Sequence, residues 1–318
     1  MKPRLLDLDR FGSRKYLQGL AREHRPLSAG GSVGWSLHEQ VQLRWATALG
    51  IEADDLVLCG SAAHAWTTLS RCLLLPGDVA AIARPCPVEL PAAVLGAGAS
   101  FVDLGRSTQG EIQPAVVAKV AAAHANAVAL GQRFSWFGTD DLKALAAVQW
   151  RAILIDATGT DALVGSASAL DEGADAAVIA LRDPDQPVQP LLWAIACRAG
   201  EGPGVAAIGG PGHLPLLLLR AGLASLDAIA AGPASHHVAW RDQLRQRREA
   251  LRASLTDRPG VHWSIADGGV TAAALCLDGD VDAVAGPLRV AGFAATGFAP
   301  HPMRSAVVVD LAESTVLA

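Results

Sequence analysis

Between residues 55 and 200, short apolar runs alternate with segments of helical spacing, and this alternation constrains the fold more than any other feature. Strands that read as near-continuous apolar runs, separated by helices, form a parallel sheet covered on both faces, so the expected class is α/β. The strands are expected at LVLC (56–59), VAAIA (79–83), SFVDL (100–104), AVAL (127–130), AILID with Asp156 at its end, AAVIAL (176–181) and LWAIAC (192–197). Helices are expected over Ala62 to Leu74, Val88 to Leu95, Pro114 to His124, and Asp140 to Val148 with Thr139 as N-cap. Ahead of the sheet, Ser36 is placed to cap a helix from Leu37 to Leu49, with Glu39 at the third position of a capping box.

Beyond the sheet, GEGPGVAAIGGPG (200–212) reads as a glycine-rich connecting loop, followed by a long helix from about His236 to Leu255. VHWSI, TAAALCL, a helical segment around DAVAGPLRVAG and AVVVDL then supply a small α+β unit. The expected organisation is an N-terminal segment (1–35), a large domain (36–235), and a linking helix with a reduced C-terminal domain (236–318). No internal repeat or low-complexity tract interrupts it.

With 318 residues, half of them hydrophobic, the chain has ample material for a core. A formal charge of -5 and a single basic stretch, RDQLRQRREALR from Arg241 to Arg252, argue against a nucleic-acid surface. That stretch reads as a solvated helix face. LPLLLLRAGL is interrupted by Pro215 and Arg220, far short of the ~20 apolar residues of a membrane span, so no span is expected. The N-terminus lacks an apolar signal core, and Cys59, Cys72, Cys86, Cys197 and Cys276 are scattered without a CxxC pair. Reduced thiols in a cytoplasmic protein are the expectation.

Several smaller features carry both a chemical and a structural reading. His236 and His237 are adjacent on a helix and point apart, which suits capping or exposure better than a metal. Cys86 lies between Pro85 and Pro87 with no identifiable base and reads as a buried structural thiol. Gly209 to Gly212 lacks the Lys-Ser/Thr of a phosphate loop and reads as a hinge. Phe134, Trp136 and Phe137 either present an aromatic surface to a ligand or partner, or anchor their own loop.

GSAAHAW, LLLPGDVAAIARPCPVELPAAVLGAGASFVDLG, the GEIQP turn, AILIDATG and DAAVIAL occur in an order that resembles fold type I enzymes dependent on pyridoxal 5′-phosphate (PLP), and among them the DegT/StrS sugar aminotransferases. The resemblance covers about residues 35 to 255. It implies that Gly60 and Ser61 open the helix that receives the cofactor phosphate, where free N–H groups and the helix dipole favour an anion. It also implies that Asp156 pairs with the pyridine nitrogen. A strand-end aspartate capping its own turn is the other reading of that residue.

The family's Schiff-base lysine falls on Asp185, or on Gln186 if one residue is inserted, and no lysine occurs after Lys143. Neither side chain can form a Schiff base. Ala180 replaces the family's final strand serine, and Pro190 to Trp193 replace its glycine run. Gly159 stands where a Gln or His meets the cofactor, and no stacking ring occurs near Pro85 to Val88. A related sugar dehydratase uses histidine in place of the lysine, but His213 lies too far along this chain to align.

The resemblance thus implies a degenerate aminotransferase-like chain, a homodimer or a heterodimer with an active paralogue, acting as a partner or scaffold in a biosynthetic pathway. Two alternatives stay open. One is an enzyme holding PLP or pyridoxamine 5′-phosphate (PMP) noncovalently and transaminating or dehydrating a nucleotide-linked sugar; the other is a PLP-independent module binding a small molecule in the old cleft, lined by Trp193 and Trp136.

Overall fold

The computed structural model describes residues 33–84, 86–107, 110–133, 140–184, 190–209, 214–232, 235–254, 261–265, 270–276, 281–301 and 304–314. Seven strands, β1 (Leu56–Cys59), β2 (Val79–Ile82), β3 (Ser100–Asp103), β4 (Val128–Gln132), β5 (Ala152–Asp156), β6 (Ala176–Arg182) and β7 (Pro190–Cys197), form one sheet in the order β1-β7-β6-β5-β4-β2-β3. The α/β class is as expected, and β2 to β6 pair in parallel. β7 departs from that pattern, running antiparallel to both β1 and β6. Only seven residues separate β6 from β7, too few for the crossover that a parallel pairing requires.

Two apolar layers sandwich the sheet. Helices α1 (Val33–Leu49), α4 (Pro114–Ala123), α5 (Asp141–Leu145) and α8 (Leu216–Ala230) cover one face, with Trp45, Val117, Leu145 and Leu226 buried in that layer. Helices α2 (Ala62–Leu73), α3 (Glu89–Gly96) and α7 (Gly202–Gly209) cover the other, through Trp66, Leu69, Leu90, Val94 and Val205. A short helix α6 (Ser168–Asp171) leads into β6. After α9 (Ser235–Ser254), an antiparallel four-stranded sheet of β8 (Val261–Ile265), β9 (Thr271–Cys276), β10 (Phe293–His301) and β11 (Arg304–Ser314) packs with α10 (Val281–Val290) around its own core.

Several local expectations are corrected. Helix α1 begins at Val33, so Ser36 and Glu39 lie inside it and Ser36 is not at the N-cap position. Helix α5 is capped by Asp140, whose side chain accepts from the Leu142 N–H at 3.1 Å, and it stops at Leu145. Thr139 lies outside the described residues.

The expected loop after β7 is helical over α7. The buried Asp55 carboxylate accepts the Gly200 and Gly202 N–H groups at 2.8 and 3.2 Å, which anchors this N-terminus, and Pro203 suits a first helical turn. Gly202 is demanded by packing, since a Cβ there would lie 2.0 Å from the Asp54 carbonyl oxygen. LPLLLLRAGL also contributes to a helix, because Pro215 sits just before α8 instead of interrupting it.

The basic stretch on α9 is only partly solvated. Arg248 is buried and Arg247 donates to the Leu311 carbonyl at 2.9 Å, while Arg241 reaches Asp161 of the large sheet's connections. No helix among the described residues is long and apolar enough to cross a membrane.

Candidate functional site

β1, β5 and β6 run the same way, so Gly60, Asp156 and Arg182 end their strands on one edge of the sheet, with Gln132 and Arg84 at the ends of β4 and β2. This is the edge where α/β sheets bind ligands, outside the carboxyl ends of the strands. Period-two alternation places Cys59, Trp193, Ala180 and Asp156 on the face covered by α2 and α3, because Val57, Ile195, Val178 and Leu154 belong to that layer.

Asp156 is 3 % exposed. Its Oδ1 accepts from the Thr158 N–H at 3.0 Å and the Thr158 hydroxyl at 2.6 Å, and Oδ2 accepts nothing from any described residue. Burial pushes its carboxyl above the usual carboxylate range; the Thr158 bonds pull the other way, and the charge of Glu89 adds to the rise. One oxygen thus caps the turn after β5, the strand-end reading of this residue, and the other makes no hydrogen bond to a described residue.

At the α2 end, Ser61 is the N-cap and its Oγ accepts from the His64 N–H at 3.1 Å. The imidazole of His64 turns back, and its Nδ1 accepts the Gly60 N–H at 3.3 Å. A donor and a hydroxyl that an anion would use are thus engaged within the chain. Glu89, the first residue of α3, lines a groove together with Ala63, Thr67 and Arg71 of α2, so a carboxylate shares this groove with the first turn of α2.

Between the two ends, Trp193 pairs with Ala180 on one side and Cys59 on the other, and its side chain packs against the α2 and α3 layer. Two strand spacings, about 10 Å, separate β7 from β5, and the small Ala180 lies on the strand between them. Leu192 points to the opposite layer, where its Cδ1 would stand 2.6 Å from a Cβ added at Gly222 of α8. Leu192 and Trp193 are thus built into opposite layers.

The remaining charges of this edge are paired. Arg106 holds Asp141 with two bonds of 2.7 Å, and the same carboxylate accepts the Gln132 N–H at 2.8 Å. Arg84 binds Asp103, and Arg133 reaches Glu172 and Ser168. Neither Arg106 nor Arg133 stands out in sequence; an isolated arginine gives no signal of its distant partner. Burial pushes the Cys86 thiol up to about 12 and nearby Arg106 offsets this only in part, which fits the structural reading of that thiol.

Gly159 takes no side-chain role; its carbonyl accepts the Val270 N–H at 3.1 Å, joining the turn after Asp156 to the C-terminal unit. Asp185, Gln186, Phe134, Trp136, Phe137 and the side chains of His236 and His237 lie outside the described residues. No cluster of three or more metal-ligating side chains occurs among the described residues.

No protein-family model matches this chain, and no curated relative does. Solved structures do. An aspartate aminotransferase from Thermotoga maritima superposes with a TM-score of 0.65 at 13% identity, over 96% of this chain and 85% of that one. A serine palmitoyltransferase from Sphingomonas wittichii gives 0.63 at 14%, over 93% and 78%. Histidinol-phosphate aminotransferase from Sinorhizobium meliloti, in complex with pyridoxal 5′-phosphate, gives 0.60 at 10%, over 86% and 75%. The fold is that of PLP-dependent aminotransferases of fold type I.

Among the described residues, no lysine is placed at this edge to anchor PLP covalently. The lysines on described elements, Lys119 and Lys143, are exposed on α4 and α5. His64 engages the Gly60 N–H, Glu89 and Arg71 both line the groove that begins at Ala63 of α2, and Trp193 stands on the sheet face between the α2 N-terminus and Asp156.

Proposed function

We propose that this chain is a non-catalytic protein on an aminotransferase scaffold, serving as a partner or scaffold in a biosynthetic pathway. It works in the cytoplasm, as a homodimer or paired with a related chain. The order of its motifs supports an ancestry shared with the DegT/StrS sugar aminotransferases. The observation that carries the reading is Trp193, seated between Ala180 and Cys59 on the face that a cofactor ring would need.

A lysine alone could be lost from a working site, but here the replacements have partners in the packing. Leu192 meets Gly222, and His64 satisfies Gly60. Such mutual accommodation fits a site that has been filled, while the scaffold around it keeps its core. The test is turnover: the isolated chain with added PLP and a panel of amino donors and nucleotide-linked keto sugars is expected to release no product above the protein-free rate. Saturable turnover would overturn the proposal.

The open Oδ2 of Asp156 favours a second reading, an enzyme that holds PLP or PMP without a covalent bond through Gly60, Ser61 and Asp156 and acts on a nucleotide-linked sugar. In that reading Asp156 orients the ring and holds its nitrogen protonated. A PLP titration followed by absorbance, on wild type and Asp156→Ala, decides it: saturable binding lost in the variant supports it, and identical flat titrations remove it.

A further inference from the structure

The groove between α2 and α3 has a direction that the strands beneath it impose. β1, β2 and β3 run the same way, so α2 and α3, each leading back to the start of the next strand, lie side by side and parallel. Ala63, Thr67 and Arg71 of α2 form one wall, and Ala92, Gly96 and Ala97 of α3 help form the other. Glu89, in the first turn of α3, therefore sits at the Ala63 end, and Arg71, in the last turn of α2, sits at the Gly96 end. Rather more than two helical turns, ~12 Å, part the two ends, too far for Arg71 and Glu89 to pair within one chain. Neither side chain makes a hydrogen bond or ion pair with a described residue.

The groove suits a helix surface better than a small molecule. Its volume of about 270 Å³ falls just short of the roughly 300–1,000 Å³ of small-molecule pockets, and Ala63, Ala92 and Gly96 are exposed, so it is open to its outer side. Beside it α3 presents Val88 and Leu95, 68 % and 59 % exposed, on one helical face. Exposed apolar side chains next to a strip of small residues offer both the ridge and the hollow that helix packing needs.

The charges say which helices come to it. A two-fold axis lying in the contact plane and crossing the groove midway between Arg71 and Glu89 sets the guanidinium of each copy opposite the carboxylate of the other. The patch is therefore self-complementary, as an isologous interface must be, and the ion pair forms twice. We infer that α2 and α3 form the contact face of a homodimer, in which Arg71 of each copy pairs with Glu89 of the other and Val88 and Leu95 pack against the facing groove. This rests on the homodimeric reading of the protein and gives it a surface.

Sedimentation velocity on the full chain across the micromolar range is expected to show a dimer. Arg71→Glu and Glu89→Arg each set like charges against one another twice, and each is expected to raise the dimer Kd at least about tenfold. The double variant, Arg71→Glu with Glu89→Arg, restores opposite charges and is expected to return to within about threefold of wild type. Thermal unfolding of each variant confirms that it is folded, and the double variant controls for damage done by either exchange alone.

A dimer unmoved by either single reversal, or a folded double variant no tighter than the singles, would overturn this face and leave the homodimer itself standing. A wild-type monomer would overturn both, leaving only a pairing with a related chain. Turnover with added PLP bears on the non-catalytic reading alone, because it reads chemistry whereas sedimentation reads assembly.

Discussion

Two buried aspartates on the same edge of one sheet show how differently a fold can treat the same group. Asp141 is fully committed: both oxygens are gripped by Arg106, itself 3 % exposed, and one also takes the Gln132 N–H. Asp156, one strand over at the end of β5, keeps one oxygen unbonded although it is buried as deeply. A saturated buried charge stitches loops together, whereas a half-satisfied one is a cost that a binding site has reason to keep. Asp55, with the N–H groups of Gly200 and Gly202, sides with Asp141.

The largest effect should come from breaking the saturated corner. Arg106→Ala leaves the Asp141 carboxylate buried without its cation, and a loss of about 3–5 kcal/mol is expected in urea unfolding. A loss below about 1 kcal/mol would erase the contrast between the corners. Next comes Gly202→Ala: its Cβ would strike the Asp54 carbonyl and displace the N-terminus that Asp55 anchors, so about 2–3 kcal/mol should be lost by the same measurement.

The open corner should respond with the opposite sign. Asp156→Asn removes a buried carboxylate whose ionisation is disfavoured, so at pH 7 the variant should be more stable by roughly 1–2 kcal/mol. The direction with pH follows from the raised folded-state pKa. Protonated Asp156 favours the fold; that contribution is complete below the usual carboxylate pKa and is lost as pH rises through the raised value. Thermal unfolding from pH 7 downward should therefore show the advantage of Asn shrinking toward pH 4. An Asn variant less stable at pH 7 would place Asp156 with the saturated group.

The smallest change is Ser61→Ala, which deletes the cap on the His64 N–H and should cost about 1 kcal/mol, read as a lowered Tm. A neutral result would mean that the α2 N-terminus is held by the His64 and Gly60 contact and the surrounding core alone.

Much of this architecture was readable from the chain. Apolar runs such as AAVIAL and LVLC are buried on both faces, so composition and length alone mark them as strands. Helix boundaries were less legible where a distant partner decides them. GEGPGVAAIGG looks like a loop by composition, yet Asp55, about 145 residues earlier, caps it into α7. β7 was visible as a strand but not as a reversed one, since direction depends on the connection and on where its edges find partners. The site divides in the same way. Gly60, Ser61 and Asp156 were marked by their places after strands, whereas Glu89 and His64 carry no pattern of their own and gain meaning only from what faces them.

The sequence by itself determined the alternation that makes a helix-covered sheet, the carboxylate at the end of β5, and the want of a lysine beyond Lys143, because these depend on residue type and on local periodicity. Only the tertiary structure decided that one oxygen of Asp156 stays open while Asp141 is saturated, that Glu89 shares a groove with the first turn of α2, and that Trp193 stands between Ala180 and Cys59. Those facts depend on contacts between residues remote in the chain, and local pattern carries no information about them.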